Sequence, residues 1–481
     1  MQRKPTNSAW AIAIGIIATS VALIFARSTA GLIDDDAYIF LRYAEHLAQG
    51  DRLAFNLGEP SAGVTSILWV LVLAFARRLT GADMILIAQA LGALCFGSAL
   101  VLMTRSFEGK PEHRWGARVG GVIAALSPVF ICQAISGMDV ALNMLLVTLA
   151  LTSTSAFATG LAYLTRPDNV LILPAVAGLA PTRRLRTALM MSTAVIAFGL
   201  PWAVYCWRVG GSLLPPTRVG KLLVFLPGWY GVTAPEFAAM ALGARLSLAA
   251  RALARVGSMF TQGQARALLI WIPLFPLGLA KASRAARAAL LLFALSAVAY
   301  ALVFPLVKLR YFVHLTLWLV PLGLLGLQRM IPPRWHRALF GLLVAGHLAV
   351  CARALPRYRD WVACEGTKTL AGQWLATHTP ADARLALEPI GAVGYHSQRY
   401  VIDLGGLIAA DVWPVIRNGP EFDPNEMFDY LRERRADYVI DQVDGPWAGR
   451  LLRARPDSLR LVATIPGPTG CGVIGVYALQ R

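Results

Sequence analysis

The first apolar run of the chain reads AWAIAIGIIATSVALIFA, covers residues 9–26 and contains no charged side chain. A helix of about 20 apolar residues crosses the hydrocarbon core of a bilayer. The run resembles a secretory signal peptide, but no convincing cleavage site follows it, so we expect it to be a retained first membrane helix. Arg3 and Lys4 precede the run and are expected in the cytoplasm.

The composition of the whole chain agrees with a membrane protein. Of its 481 residues, 57% are apolar and only 15% are charged, whereas a soluble domain carries roughly 25% charged residues. So few charges cannot cover a water-facing surface, which excludes a soluble, disordered or disulfide-stapled chain. The net charge of +18 is expected from cytoplasmic loops rich in Lys and Arg, so we expect no nucleic-acid partner.

Ten further apolar stretches bring the predicted number of membrane spans to eleven. They cover residues 84–103, 116–135, 140–154, 156–163, 170–180, 188–207, 267–280, 288–307, 312–327 and 338–352. The pieces between 156 and 180 are short for a span and are expected to be tilted or half-buried. Residues 64–76 are also apolar, but a full span there would move Arg105 outside. We therefore expect a half-inserted helix capped by Arg77 and Arg78.

The charges of the loops predict the orientation. The expected cytoplasmic loops contain two acidic residues, Glu108 and Glu112, whereas loop 27–63 contains six acidic and three basic residues. The basic residues of the cytoplasmic loops are Arg3, Lys4, Arg105, Lys110, Arg114, Arg118, Arg183, Arg184, Arg186, Lys281, Arg284, Arg287, Arg329, Arg334 and Arg337. We expect a multi-pass protein of a bacterial plasma (inner) membrane, with a cytoplasmic N-terminus and an extracytoplasmic C-terminus.

Two domains are predicted. Residues 1–354 form a helical membrane domain with outer loops 27–82 and 208–266, and residues 355–481 form a small extracytoplasmic α/β domain. The tail reads as strands at 384–387, 400–402, 438–440 and 459–465, with helices at 369–377 and 425–434. Cys364 and Cys471 lie in this domain, where they either form a disulfide in an oxidising compartment or remain free thiols.

The first outer loop contains the most informative cluster, Asp34-Asp35-Asp36-Ala-Tyr38. One Asp is enough to cap a helix. Three adjacent carboxylates beside apolar surface repel one another and favour a base or a cation site. Further along the same loop lie the candidate contact residues Thr65, Ser66 and Trp69, which as interfacial side chains would otherwise only anchor the helix.

Four later turns place charged residues at the same membrane face. The candidate residues in these turns are Asp139, Arg166, Asp168, Arg218, Lys221, Arg310 and Tyr311. Each charged residue taken alone is as well explained by a side chain that reaches the lipid head groups as by a functional site. Loop 208–266, however, has seven basic residues and one acidic residue, Glu236, which breaks the positive-inside pattern. A cationic outer loop opposite an acidic cluster suits a lipid-linked phosphate and a reacting sugar.

These motifs, in this order, resemble the integral-membrane glycosyltransferases of the GT-C fold, and most closely the branch with the mycobacterial terminal arabinofuranosyltransferases. The resemblance covers most of the chain. It rests on Asp35-Asp36-Ala-Tyr38-Ile, Phe55-Asn-Leu-Gly-Glu59, Thr65-Ser-Ile-Leu-Trp69, Ser136-Gly-Met-Asp139, Leu164-Thr-Arg-Pro-Asp168, Leu214-Pro-Pro-Thr-Arg-Val-Gly-Lys221, Glu388-Pro-Ile-Gly-Ala-Val-Gly-Tyr395 and Val401-Ile-Asp-Leu-Gly-Gly-Leu407. Asp139 stands where the branch has Glu, and Pro216 where it has Asn.

The resemblance implies an inverting transfer of a sugar, with arabinofuranose expected, from a polyprenyl-phosphate donor at the outer face. Asp35 is the expected base and Asp36 orients the acceptor or a cation. Lys221, Arg310, Arg218 and Arg166 are expected to hold the donor phosphate, and the expected substrate contacts are Tyr38, Thr65, Ser66, Trp69, Asp139, Asp168 and Tyr311. The scheme requires no cofactor, although the carboxylates offer oxygen ligands to Mg²⁺ or Ca²⁺.

Three functional classes compete at this point. A cell-envelope glycan, a lipid or a pilin-like protein are the acceptors open to a glycosyltransferase. A lipid-linked sugar flippase or transporter would instead have polar groups along a path at mid-membrane, whereas here the charges gather at one face. An assembly subunit that has lost activity would not need the pair Asp35 and Asp36.

Overall fold

The computed structural model describes residues 9–29, 31, 33–109, 111–179, 184–261 and 263–480. Arg3, Lys4, Lys110, Ala180 and Arg183 of the predicted layout lie outside these residues. The described chain forms a bundle of helices followed by a small α/β domain, and the predicted fold class is confirmed at this level.

The helical bundle contains seventeen helices in the described part of the chain. They are α1 (Ala9–Ser28), α2 (Asp35–Ala48), α3 (Ile67–Thr80), α4 (Met84–Phe107), α5 (Arg114–Ala125), α6 (Pro128–Ile135), α7 (Val140–Ser153), α8 (Ala156–Thr165), α9 (Ile172–Gly178), α10 (Arg184–Gly210), α11 (Thr217–Tyr230), α12 (Ala234–Ala239), α13 (Leu242–Met259), α14 (Phe275–Gly278), α15 (Arg284–Val303), α16 (Val313–Thr316) and α17 (Leu319–Met330).

Six helical segments of the described chain are long and apolar enough to cross a membrane. They are Ala9–Ser28, Met84–Phe107, Arg184–Gly210, Arg284–Val303, Val313–Met330 and Pro333–His378. A seventh results if Pro111–Ala125 and Pro128–Ile135, bent by 54° at their junction, count as one span. The chain is a multi-pass membrane protein, but the predicted number of eleven spans is not confirmed.

The remaining predicted spans form shorter elements. Helices α7, α8 and α9 have 14, 10 and 7 residues, too few for a normal crossing. Residues 267–280 form part of a 3₁₀ helix and the four-residue α14. Pro273 and Pro276 lie in this segment and remove the backbone donors that a continuous helix needs. Helix α3 occupies the predicted half-inserted segment and has Arg77 and Arg78 in its last turn.

The C-terminal α/β domain is called the outer domain here after its predicted location, and it is a five-stranded sheet with helices. The candidate membrane span Pro333–His378 contains α18 (His336–His378), which leads into this domain. The elements that follow α18 are β1 (Arg384–Leu387), α19 (Gly391–Ser397), β2 (Tyr400–Asp403), α20 (Pro424–Glu433), β3 (Tyr438–Gln442), α21 (Pro446–Ala454), β4 (Leu459–Pro466) and β5 (Val473–Leu479). The strand order is β2-β1-β3-β5-β4. Strand β1 runs parallel to β2 and β3, and β5 runs antiparallel to β3 and β4. A disulfide joins Cys364 of α18 to Cys471. Of the two expected alternatives, a disulfide and two free thiols, the structure has the disulfide.

The outer domain is attached to the first outer loop by buried polar contacts. The Arg42 guanidinium donates to the carbonyl oxygens of Phe55 and Arg399, both at 2.7 Å, and to that of Gly394. The Asn56 side chain exchanges two 2.9 Å hydrogen bonds with the Val401 backbone. Loop 27–63 and the outer domain therefore lie on the same side of the bundle.

Candidate active site

The acidic cluster forms the start of α2. Asp34 is its N-cap and accepts a 3.1 Å hydrogen bond from the Asp36 backbone N–H. Asp35 and Asp36 occupy the first helical turn, where the positive end of the helix dipole favours carboxylates. Successive residues of a helix point about 100° apart, and the side chains of Asp35 and Asp36 have different partners.

Asp36 faces a cavity enclosed by helices of the bundle. Its carboxylate accepts a short hydrogen bond from Arg310 and lies 4.0 Å from Lys221 Nζ. Burial raises the pKa of Asp36, but Arg310, Lys221 and Lys308 together hold that pKa well below its usual range. Asp36 is therefore ionised and surrounded by cations. Arg310 also lies 3.7 Å from Asp34.

Asp35 is directed towards the outer domain and does not line this cavity. Its Oδ1 accepts a 2.9 Å hydrogen bond from Ala392 N–H and lies 3.9 Å from Lys368 Nζ. Its Oδ2 is buried and has no hydrogen-bond partner within the described part of the chain. Burial raises the pKa of Asp35 to about 6, although Lys368 and the Ala392 N–H oppose that shift.

A glycine makes this close contact between α2 and α19 possible. A Cβ atom on Gly391 would lie 2.0 Å from the Asp35 carbonyl oxygen. A second glycine, Gly220, brings α11 against the loop after β2, because its Cβ would lie 2.5 Å from the carbonyl oxygens of Gly405 and Gly406. Lys221 follows Gly220, so this approach fixes the position of the lysine beside Asp36.

The cavity has a volume of about 520 Å³. Its walls combine a mainly apolar surface with charges at the acidic turn. The lining residues are Asp36, Ile39, Phe40, Gly63, Val64, Thr65, Met138, Asp139, Tyr163, Arg166, Pro167, Asp168, Val170, Leu171, Leu214, Pro215, Thr217, Arg218, Lys221, Ala299, Tyr300, Val303, Phe304, Arg310, Tyr311 and Leu407. The four predicted phosphate-binding cations are all among them.

These four cations differ in how far their charge is already neutralised. Arg166 forms two 3.1 Å hydrogen bonds with the buried carboxylate of Asp139, a geometry that strongly fixes both side chains. Arg310 is shared between Asp34 and Asp36. Lys221 is in contact with Asp36 only at 4.0 Å, and Arg218 donates to the Val303 carbonyl at 3.1 Å. Lys221 and Arg218 are therefore the cations most available to a ligand.

An aromatic wall lies next to the Arg166–Asp139 pair. The Tyr311 ring is 5.4 Å from the Arg166 guanidinium and stacks on Tyr300 with ring centroids 5.0 Å apart. Asp168 also lines the cavity, and burial raises its pKa while Arg166 opposes that shift. The cavity thus has a carboxylate, Asp168, besides Asp36 for binding hydroxyl groups.

Three predicted contact residues do not line the cavity. Tyr38 packs against the rings of Tyr395 and His396. Trp69 donates from its indole nitrogen to the Gly137 carbonyl at 2.9 Å, and Ser66 is buried at the start of α3. Sequence reasoning missed Tyr163 and Tyr300, which lie on the cavity wall without a local motif that marks them. It gave no role to Leu407, which also lies on the wall and ends the motif Val401–Leu407.

The acidic turn does not suit a divalent cation. Asp34 and Asp36 are paired with Arg310, and Asp35 is held by Ala392 and Lys368. Such a cation requires several oxygen ligands that converge on one point. Among the described residues, no three His, Cys, Asp or Glu side chains are placed to hold a metal ion. We therefore derive no step through a metal.

The chain is similar in part to a known domain family and over most of its length to solved structures. A family model described as a domain of unknown function (DUF8728) matches residues 358–477, which is most of the outer domain. No curated protein matches the chain. Among solved structures, ArnT from Cupriavidus metallidurans bound to undecaprenyl phosphate is similar with a TM-score of 0.56 at 14% identity, over 96% of this chain and 97% of that chain.

Two further structures are similar. ArnT of the same organism in the apo state has a TM-score of 0.54 at 15% identity, with 96% of this chain and 97% of that chain covered. The arabinofuranosyltransferase AftD from Mycobacteria has a TM-score of 0.46 at 17% identity, with 97% of this chain but only 40% of that chain covered. The likeness to ArnT shows a common fold, and the predicted GT-C architecture is confirmed.

Proposed function

We propose that the chain is a glycosyltransferase that transfers a sugar from a polyprenyl-phosphate donor to an acceptor at the outer face of the membrane. The cavity carries this proposal, because it joins a long apolar wall to a cluster of cations around one carboxylate, Asp36. The apolar wall suits a lipid tail, the cations suit a phosphate, and the Asp36 carboxylate suits an acceptor hydroxyl. The relative bound to undecaprenyl phosphate has the same fold.

The donor phosphate is assigned to Lys221, Arg218 and Arg310. Lys221 and Arg310 lie beside Asp36, and Arg218 lines the same cavity. Positive charge there stabilises the phosphate as it leaves. Arg166 was predicted as a fourth ligand, but its charge is compensated by Asp139. We assign to this pair the role of holding the wall at Tyr311.

The base is assigned to Asp36. Sequence reasoning gave this role to Asp35, whose carboxylate is turned towards Ala392 and away from the cavity. A donor phosphate that shares Arg310 and Lys221 neutralises part of the charge that lowers the Asp36 pKa, and its own negative charge raises that pKa. Asp36 therefore becomes a stronger base when the donor is bound.

The reaction proceeds as one displacement with inversion. Asp36 accepts the proton of the acceptor hydroxyl while the acceptor oxygen bonds to the anomeric carbon. The bond from that carbon to the phosphate oxygen breaks, and its electron pair remains on polyprenyl phosphate. Asp168 and Thr65 are placed on the wall to bind sugar hydroxyls. Arabinofuranose, proposed on the motif resemblance, is the sugar, and a cell-envelope glycan is the proposed acceptor.

The proposed location follows from the charges. The first outer loop and the outer domain lie on one side. Arg105 and Arg284 lie in the end turns of α4 and α15, and Arg118 lies in the first half of α5, as expected of the cytoplasmic ends of spans. We assign the outer domain and the cavity mouth to the extracytoplasmic side of a bacterial plasma membrane. The disulfide between Cys364 and Cys471 supports an oxidising compartment.

Reconstitution tests the function against the flippase alternative. The chain is placed in proteoliposomes with polyprenyl-phosphate arabinose and an arabinan acceptor, and products are followed by mass spectrometry. A new glycoside that depends on Asp36, and is lost in Asp36→Asn, is the expected result. Movement of the lipid-linked sugar between leaflets without any glycoside would refute the enzyme and support the flippase.

A further inference from the structure

A second pocket, of about 330 Å³, lies in the outer domain at the carboxyl ends of β1 and β3. The chain passes from β1 to β2 on one side and then returns to β3 on the other side of β1. In open α/β sheets, ligands bind in the crevice outside the carboxyl ends of the strands at such a switch point. We call this cavity the switch-point pocket.

Several polar groups of the pocket lack partners. Glu388 directly follows β1, and no hydrogen bond holds its carboxyl group among the described residues. Thr367 is 3% exposed, and its hydroxyl also has no hydrogen-bond partner among the described residues. Gln442, at the end of β3, adds an exposed amide. A ligand with several hydroxyl groups would satisfy these donors and acceptors together.

Burial raises the pKa of Glu388 to about 7, and the negative charges of Asp403 and Asp35 add to that shift. Near neutral pH its carboxyl group therefore exists in both states and can donate or accept a hydrogen bond. Such a group suits a sugar hydroxyl, which also does both.

The charges of the pocket argue against an anionic ligand. Lys368 is the one basic residue among the described residues that line the pocket, and it is paired with Glu365 at 2.6 Å. The start of α21 points into the pocket region, and a helix start often binds phosphate. Here the Asp441 carboxylate already accepts hydrogen bonds from Trp447 N–H at 2.8 Å and Ala448 N–H at 3.0 Å. The chain's own carboxylate thus takes the place of an anion.

From these observations we infer that the switch-point pocket binds an uncharged sugar ring of the acceptor glycan. The pocket has the volume of a small-molecule site and unpaired groups suited to hydroxyls. It also adjoins the acidic turn, because Lys368 lies 3.9 Å from Asp35. A ring held there keeps the glycan beside the cavity while another residue of the same glycan reacts. That the occupant belongs to the acceptor rests on the proposed function, whereas the sugar site itself does not.

Binding of simple sugars tests the pocket directly. The full chain, saturated with undecaprenyl phosphate so that the main cavity is filled, is titrated with methyl arabinofuranoside, methyl glucopyranoside and N-acetylglucosamine and observed by saturation-transfer NMR. At least one sugar should bind, and Thr367→Val and Glu388→Leu should each weaken it by about fivefold, the effect of one neutral hydrogen bond. Asp429→Asn, an exposed carboxylate of α20, is the matched control and should bind as wild type does.

Three results would overturn the inference: no sugar binds to the wild type, both variants bind as well as the wild type, or inorganic phosphate binds at the pocket and displaces the sugar. Kinetics separate this inference from the proposed function. Thr367→Val should raise the acceptor KM while the donor KM stays unchanged. If sugars bind as expected but the wild type transfers none, the proposed function fails and the sugar site stands. If transfer proceeds and neither variant changes sugar binding, the sugar site fails alone.

Discussion

Replacing Lys221 by Gln isolates the contribution of one cation to donor binding. Lys221 Nζ lies 4.0 Å from Asp36, and the carboxylate keeps its closer partner, Arg310, when the lysine is removed. Removing Arg310 instead would take an ion-pair partner from both Asp34 and Asp36. Breaking such a buried pair costs about 3–5 kcal/mol of stability. Lys221→Gln therefore changes the ligand site with the smaller effect on the fold.

The expected size follows from the contact that is lost. A hydrogen bond to a charged group contributes about 1.5–3 kcal/mol, which corresponds to about a ten- to hundredfold weaker Kd. Undecaprenyl phosphate should show this loss, whereas undecaprenol, which lacks the phosphate, should bind Lys221→Gln and wild type equally. Lys221→Arg keeps the charge and should retain most of the affinity.

The assay compares both lipids on purified protein in the same detergent, for example by thermophoresis. Arg208→Gln is the control, because Arg208 is an exposed cation at the end of α10 that does not line the cavity. Equal affinity of wild type and Lys221→Gln for undecaprenyl phosphate would remove the lysine from the phosphate site. An equal loss for both lipids would mean that the variant has changed the apolar wall instead.

Three further predictions test the base, the outer domain and the topology. Asp36→Asn should lower the transfer rate at least a hundredfold, the lower end of what a general base contributes. Asp35→Asn should keep a rate within about tenfold of the wild-type rate. The reverse ranking in a single-turnover assay would return the base to Asp35. Cys364→Ser opens a link across 107 residues and should lower the free energy of unfolding of the outer domain by about 2–5 kcal/mol in denaturant, and an unchanged midpoint would show that the bond contributes no stability. A C-terminal tag should react with an impermeant reagent on intact spheroplasts, and labelling only after permeabilisation would place the outer domain in the cytoplasm.

The part of the fold that the sequence predicts is the part that local patterns determine. The strands β1 to β4 begin within the predicted segments, because β-branched and apolar residues alternate with turn residues there. Strand β5 was missed although it pairs with both β3 and β4. Its segment, Val473–Leu479, follows a stretch rich in Gly and Pro, and its place in the sheet depends on partners distant in sequence.

The number of spans was harder to predict because apolar length alone does not separate a crossing from a short buried helix. Residues 140–154 are as apolar as a span, yet α7 has 14 residues and is largely buried within the bundle. The stretch 116–135 is interrupted by a 54° bend between α5 and α6, where Pro128 begins the second helix. Both features depend on packing against neighbouring helices, which a hydropathy pattern does not contain.

The candidate site illustrates the same limit at the level of single residues. The sequence located the acidic turn, since three adjacent carboxylates beside a membrane helix need an explanation beyond capping. It gave the base role to Asp35 without access to the contacts that distinguish Asp35 from Asp36, because their partners, Ala392 and Arg310, lie more than 270 positions away. The glycine at 391 that admits Asp35 is equally distant.

Arg166 and Asp139 show why charge identity alone did not give roles. Each was predicted separately as a ligand, one for phosphate and one for substrate, and each lines the cavity. Together they form a two-bond pair whose charges cancel, so neither is as available to a ligand as Lys221. We propose that these four cations divide into Arg166, which holds the wall, and three that bind the donor phosphate, of which Arg310 also holds the acidic turn. That division follows from contacts between residues, and it explains why the proposed donor site is centred on α11, which carries both Arg218 and Lys221.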